Sequence, residues 1–263
     1  MSLAFSNRVV GITGAAGGIG RELCRYFAGE GAAIAAFDKS DAVSGFAAEL
    51  RSAGARVESV VVNVVDTAAV AEAFQRAASA LGPVDVLINN AGITTHPTIE
   101  GTPPDGFVEE LYVNLIGAYA CTYAAIPSMK ARRRGSIVNI GSVNGLMALG
   151  DAGYSAAKAG LISLTRSLAQ ELGRYNIRAN IVCPGTVRTP IWDERASRNP
   201  DVLTQLARWY PLGRIVEPIE VMRAVAFLAS DAASAITGAV LPVDCGLSAG
   251  NIVMARELTV GDL

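Results

Sequence analysis

The chain has 263 residues, 51% hydrophobic and 17% charged, which suits one α/β domain with a large core and excludes a disordered chain. A net charge of −2 with no basic block argues against nucleic acid or an anionic membrane as the main partner. Four scattered cysteines (Cys24, Cys121, Cys183, Cys245) and one histidine, His96, offer no metal constellation, and with no leader-like start or membrane-length apolar run the chain reads as soluble and cytoplasmic.

Arg8 to Thr13 (RVVGIT) reads as a short strand that runs into Gly14-Ala15-Ala16-Gly17-Gly18-Ile19-Gly20, with helical periodicity from Arg21 to Glu30. Glycines there let the backbone turn sharply and approach a pyrophosphate, whose charge free N–H groups at the helix start can meet. Ala32 to Phe37 is an apolar strand ending at Asp38, about twenty residues past the glycines. That carboxylate can accept hydrogen bonds from an adenosine ribose and would repel a 2′-phosphate by about 1 to 4 kcal/mol, which favours NAD over NADP. Lys39 follows and could meet such a phosphate; alternatively, Asp38 caps the helix beginning near Asp41.

The alternation continues with a helix at about Asp41 to Ala53, a strand at Arg56 to Val62, a helix at Thr67 to Leu81 and a strand at Val84 to Ile88. Continuous apolar strands between amphipathic helices imply a parallel sheet covered on both faces. After the fourth strand comes Asn89-Asn90-Ala91-Gly92, at a strand carboxyl end where ligands of open α/β sheets lie. These residues either bond a cofactor sugar or tie strand ends together. His96, beside Pro97, is either a rim residue or one that touches substrate.

Asp105 to Arg134 reads as one long helix with Asn114 in an apolar setting, and Arg132 to Arg134 suit its solvated C-terminal end. Gly135 to Ile140 is the fifth strand, followed by Ser142, twelve residues before Tyr154. Asp151 to Tyr175 reads as a long Ala-rich helix carrying Tyr154 and Lys158, four apart and therefore on one face. A free phenol, with a pKa of about 10, is a poor base near neutrality. A cation at about 4 Å would lower that value by some 3 units. Taken alone, such a pair is an ordinary meeting of helix neighbours.

Together these motifs resemble the short-chain dehydrogenase/reductase family over essentially the whole chain. The residues that carry the resemblance are Thr13-Gly14-x-x-x-Gly18-Ile19-Gly20, Asp38, Asn89-Asn90-Ala91-Gly92, Asn114, Ser142, Tyr154-x-x-x-Lys158 and Pro184-Gly185-x-Val187-x-Thr189. It implies a single-domain Rossmann fold with a doubly wound, seven-stranded parallel sheet and helices on both faces, assembled as a homotetramer. It further implies that Tyr154 is the general acid/base, that Lys158 lowers its pKa and binds the nicotinamide ribose, that Ser142 polarises the substrate and that Asn114 holds a relay water. The cofactor would be contacted by Gly14, Gly17, Gly18, Ile19, Gly20, Asp38, Asn90, Ala91, Gly92, Tyr154, Lys158, Pro184, Gly185, Val187 and Thr189. Asn63-Val64 stands where the family usually has aspartate and valine at the adenine, and the Asn63 oxygen can still accept that bond. Gly17 stands where many NADP-using relatives carry a basic residue, which again favours NAD. Val243-Asp244-Cys245-Gly246 replaces a frequent Asp-Gly-Gly.

Asn176 to Cys183 is the sixth strand. A mobile substrate flap is expected over about 188–212, where Trp192, Trp209 and Tyr210 either line the substrate site or seal a subunit contact. Glu217 to Asp231 reads as the last helix and Thr237 to Val243 as the final strand, with a tail over about 247–263 expected to pack on a neighbouring subunit. The reading that results is one domain, residues 1–263, using NAD to interconvert a secondary alcohol (sugar, polyol or cyclic alcohol) and its carbonyl. The alternatives are a 3-oxoacyl-thioester reductase using NADPH and a catalytically silent nucleotide-binding protein.

Overall fold

The computed structural model describes residues 4–189, Trp192 and residues 197–259. The parts of the expected flap at 190, 191 and 193–196, and the last four residues of the tail, lie outside the described residues.

Seven parallel strands form one sheet: β1 (Val9–Thr13), β2 (Ala33–Asp38), β3 (Val57–Val61), β4 (Val86–Asn89), β5 (Gly135–Ile140), β6 (Ile177–Pro184) and β7 (Val240–Val243). Their spatial order is β3-β2-β1-β4-β5-β6-β7. Val10 sits in register between Ile34 and Val86, so β1 and β4 are neighbours although β2 and β3 follow β1 in the chain. The order reverses there, which places the loops after β1 and β4 on either side of one crevice at the strands' carboxyl edge. This is the expected doubly wound Rossmann arrangement.

Helices cover both faces because the strands are apolar on both. On one side α1 (Gly18–Gly29) and α2 (Ala42–Ser52) bury Leu23, Phe27 and Phe46. On the other, α3 (Thr67–Leu81) packs Phe74 on Phe37 with ring centres 4.7 Å apart and planes 7° from parallel. Each such side chain contributes about 1.5–3 kcal/mol of burial. Cys24, Cys121 and Cys183 lie in this interior and Cys245 is half-buried, all four as free thiols.

The long helix expected from Asp105 to Arg134 is divided. It runs as α4 (Pro104–Leu111), a π-helical turn (Tyr112–Ile116) and α5 (Gly117–Arg132). Inside the widened turn the Asn114 amide donates to the Glu110 carbonyl at 2.9 Å, and such back-bonding to the preceding turn loosens regular α geometry.

The long Ala-rich helix is α6 (Ala152–Leu172), which ends in a 3-10 turn at Gly173–Tyr175. Beyond β6 come α7 (Val202–Ala207) and α8 (Pro218–Ala229), the latter opened by a reciprocal cap between Glu217 and Glu220. The expectation that this helix is the last is corrected, because the tail forms α9 (Ile252–Thr259). Asn251, whose side chain accepts from the Met254 N–H at 3.0 Å, starts that helix. Among the described residues no helix is long and apolar enough to cross a membrane, and no cluster of His, Cys, Asp or Glu could hold a metal ion.

Candidate active site

The glycine turn after β1 is shaped by close approaches. A β-carbon on Gly20 would stand 2.1 Å from the Gly14 carbonyl oxygen, and Gly14 itself has a φ of +64° with Ala91 Cα 2.9 Å from the same imagined atom. Only glycine fits either place. Gly20 is buried and braces the turn, whereas Gly14, Gly17, Gly18 and Ile19 line a cleft of about 920 Å³. Gly17 occupies the N-cap of α1 without a side-chain cap, leaving first-turn N–H groups for an anion.

Asp38 lines the same cleft from the end of β2. Its carboxylate accepts from the Ala16 and Ser40 N–H groups, each at 2.9 Å. It therefore belongs to the glycine turn and is not the cap of α2, which Asp41 precedes. Asn63 and Val64 form the far wall, with the Asn63 oxygen accepting from Val65 N–H at 3.3 Å. A glycine-lined helix start and a carboxylate at the ribose distance in sequence, both on one cleft, together fit a nicotinamide dinucleotide.

Across the crevice, Asn90, Ala91 and Gly92 line the cleft as well. The Asn90 amide donates to the carbonyls of Thr13 and Gly14, both at 3.0 Å, while the Thr13 hydroxyl accepts from the N–H groups of Asn90 and Ala91. Asn90 thus ties the two strand ends while Asn90, Ala91 and Gly92 stay on the cleft wall. Asn89 points the other way, into a buried ladder with Thr122, Asn139 and Thr165.

The four residues expected to do chemistry converge from three elements. Tyr154 stands in the first turn of α6, Lys158 one turn later, Ser142 just after β5 and Asn114 in the π turn. Ser142, Tyr154 and Lys158 line a second cleft of about 1100 Å³ that shares Ile19, Asn90, Gly92, Ile93 and Thr189 with the first. Asn114 is buried behind Gly92, where a β-carbon would come within 2.7 Å of its oxygen and 3.6 Å of Lys158 Nζ. Its amide bonds the backbone of Ile93 and Glu110.

The electrostatics differ from the expectation of a cation-acidified phenol. Burial pushes the Tyr154 phenol above its ordinary value, and the Ser142 hydrogen bond pulls it back only in part. Charges on Asp151, Cys183 and Glu110 add to the rise. Lys158 Nζ lies 5.4 Å from the Tyr154 ring centre and donates to the Ile140 carbonyl at 2.8 Å. Its own value is pushed down to about 8 by burial. Above about pH 8 that ammonium loses its charge, and with it its pull on the phenol.

Ser142 is set by a neighbour the sequence reading passed over. Its hydroxyl donates to Asn144 Oδ1 at 3.3 Å and accepts from Asn144 N–H at 3.2 Å, while the Asn144 amide reaches Ser155. An Asn two residues after a strand-end serine was the available signal.

The walls of the second cleft are mainly apolar, with Met147, Leu149, Trp192, Leu206 and Trp209 among them. Pro184, Gly185, Val187 and Thr189 border it too, fixed by a parallel bridge between Val187 and Val216. Tyr210, one of the expected aromatics, is buried and its hydroxyl accepts from Thr186 N–H at 3.0 Å, so it supports this loop. His96 also lines the cleft. Among the described residues the only charged ones lining it are Asp151 and Lys158.

A switch-point crevice that joins a glycine-lined helix start to a serine–tyrosine–lysine cleft defines a dinucleotide-dependent oxidoreductase acting on CH–OH groups. Residues 14–248 match the family model described as enoyl-(acyl carrier protein) reductase. A crystallised short-chain dehydrogenase/reductase oxidoreductase from Burkholderia thailandensis is 48% identical, with a TM-score of 0.91 over 97% of this chain and 98% of its own. An uncharacterized oxidoreductase of Schizosaccharomyces pombe is 42% identical over 97% of this chain and 96% of its own length. The cis-4-hydroxycyclohexanecarboxylate dehydrogenase of Sinomonas cyclohexanicum is 39% identical over 95% and 100%. The chain belongs to the short-chain dehydrogenase/reductase family.

Proposed function

We propose that this oxidoreductase uses NAD to interconvert a secondary alcohol and its ketone, and that the alcohol sits on a neutral, ring-sized, largely apolar skeleton. The observation that carries the reading is the meeting of Ser142, Tyr154 and Lys158 on one cleft continuous with the glycine-lined one. Bound nicotinamide supplies the hydride acceptor or donor. The chain supplies position and the proton. Tyr154 takes the hydroxyl proton as the hydride leaves, and Ser142 bonds the same oxygen as charge develops on it. Lys158 holds the cofactor ribose and keeps a positive charge below the phenol. Asn114 orders a water behind Lys158 through which the proton leaves.

Asp38 supports NAD, since its carboxylate faces the cleft where a 2′-phosphate would lie. The tryptophan, leucine and methionine side chains of the wall give a ring an apolar seat. The dehydrogenase from Sinomonas is named for a cyclohexane alcohol that also carries a carboxylate, in keeping with the ring though not with a neutral skeleton. A 3-oxoacyl-thioester substrate has less support, because no arginine lines the cleft among the described residues to meet a carrier's phosphate.

Assembly as a homotetramer is part of the proposal. Tyr112, Ile116, Tyr119 and Tyr123 are all exposed on the α4–α5 rod at helical spacing, an apolar stripe that a second subunit would cover. Initial rates with NAD and NADP over cyclohexanols, polyols and acetoacetyl-thioesters test the activity. Turnover of cyclic alcohols with NAD supports it, and turnover of thioesters alone, with NADPH, overturns it.

A further inference from the structure

Glu110 has no exposed surface, and the chemistry above gives it no task. A carboxylate shut away from water is unfavourable unless it is paired or well bonded. None of the ion pairs among the described residues includes it. Its bonds all go to one loop. Oε1 accepts from Thr95 N–H at 2.8 Å, Thr95 Oγ1 at 3.1 Å and His96 N–H at 3.3 Å. Oε2 has no hydrogen-bond partner. It lies against Gly153, where a β-carbon would stand 2.5 Å away, directly before Tyr154 in the first turn of α6.

The same helix grips the loop a second time. The His96 ring rests on Gly106, one turn before Glu110, so closely that a β-carbon there would be 2.4 Å from Nε2. Thr95 and His96 in turn form part of the cleft wall that Tyr154 and Ser142 also line. We propose that Glu110 is a positioning residue: its buried carboxylate anchors the Thr95–His96 backbone and so fixes the wall that holds the substrate against Tyr154 and Ser142.

The inference rests on the alcohol–carbonyl reading of the site. The charge of Glu110 also reaches the phenol. Facing Tyr154 are Asp151 and Lys158 from its own helix, Cys183 from β6, Glu110 from α4 and His96 from the loop. Glu110, as an anion, makes the phenol harder to ionise.

Two variants test this. Glu110→Leu leaves the Thr95 and His96 amides without their acceptor. Their hydrogen exchange should quicken about tenfold, and KM for the alcohol should rise about tenfold with KM for NAD unchanged. Glu110→Gln keeps an accepting oxygen and removes the charge. The acid limb of kcat/KM for alcohol oxidation should then move to lower pH by roughly 0.3 units.

Unchanged exchange at both amides in Glu110→Leu overturns the anchor. Faster exchange with an unchanged alcohol KM overturns the positioning role. If Glu110→Leu yields no folded protein, Glu110→Asp, which draws the carboxylate back by one methylene, decides by the same exchange, and unchanged exchange there overturns the anchor; an unmoved acid limb in Glu110→Gln overturns the electrostatic effect on Tyr154. A wild-type protein that oxidises no alcohol sinks the functional reading instead, and exchange at Thr95 and His96 still decides the anchor.

Discussion

The Lys158 ammonium gives its hydrogen bond to the Ile140 carbonyl at 2.8 Å while lying 5.4 Å from the centre of the Tyr154 ring. It is a buried cation. Burial lowers its value to about 8 from an ordinary 10.5, so the folded state carries the cost of that charge fully below about pH 8. The cost fades as pH rises from there towards 10.5, since the folded protein then binds fewer protons than the unfolded one. Its full size is about 3 kcal/mol, offset by about 1 kcal/mol for the bond to Ile140. Lys158→Met should therefore abolish turnover yet raise Tm at pH 7 by about 3 °C or more, with the gain shrinking above pH 8 in calorimetry of the cofactor-free protein.

Removing only the phenolic oxygen separates chemistry from binding. Tyr154→Phe should bind NADH within about twofold of wild type by fluorescence titration, and lose turnover by about 10²- to 10⁴-fold. Comparable turnover in the variant removes Tyr154 from the proton path.

Asp38 governs the choice of dinucleotide if its carboxylate meets the ribose. Asp38→Ala should narrow the ratio of kcat/KM for NAD over NADP by about tenfold, chiefly by improving NADP. An unchanged ratio removes that assignment.

Two glycines of the same turn should respond differently. A methyl on Gly20 would collide with the Gly14 carbonyl, so Gly20→Ala should cost about 3 kcal/mol and lower Tm with or without cofactor. At Gly17 the nearest atom to a β-carbon is the same oxygen at 3.4 Å and φ is −76°, so Gly17→Ala should leave Tm within about 2 °C. Its methyl would face the cleft and weaken NADH binding about tenfold by titration.

The tail reaches the cleft through Leu247, Gly250 and Asn251, then presents exposed Met254 and Leu258 on α9. Truncation after Gly250 should reduce the assembled mass in light scattering, because those apolar side chains would have covered a neighbour. An unchanged mass removes the tail from the subunit contact.

The sheet was legible because its strands are short, mostly apolar runs between helical segments, and β5 and α3 fall on the expected residues. The division of the Asp105 to Arg134 helix was not, because it depends on where the Asn114 side chain finds acceptors and not on periodicity. Cleft residues could be named in advance where spacing around a turn dictates them, as at Gly14 and Asp38. Asn90 could be placed at a strand end, but its bonds could not be read, since they go to Thr13, on another strand. Glu110 carried no signal at all. In sequence it is one acid among several on a helix, and only burial distinguishes it.

The interior thiols have a practical bearing on handling the protein. Burial pushes Cys24 and Cys121 up to about 12 and Cys183 to about 11, and it raises half-buried Cys245 as well. Since only the thiolate attacks peroxide, alkylating agents or another sulfur, Cys24, Cys121 and Cys183 should react with iodoacetamide only once the chain unfolds, and half-buried Cys245 should be the first labelled.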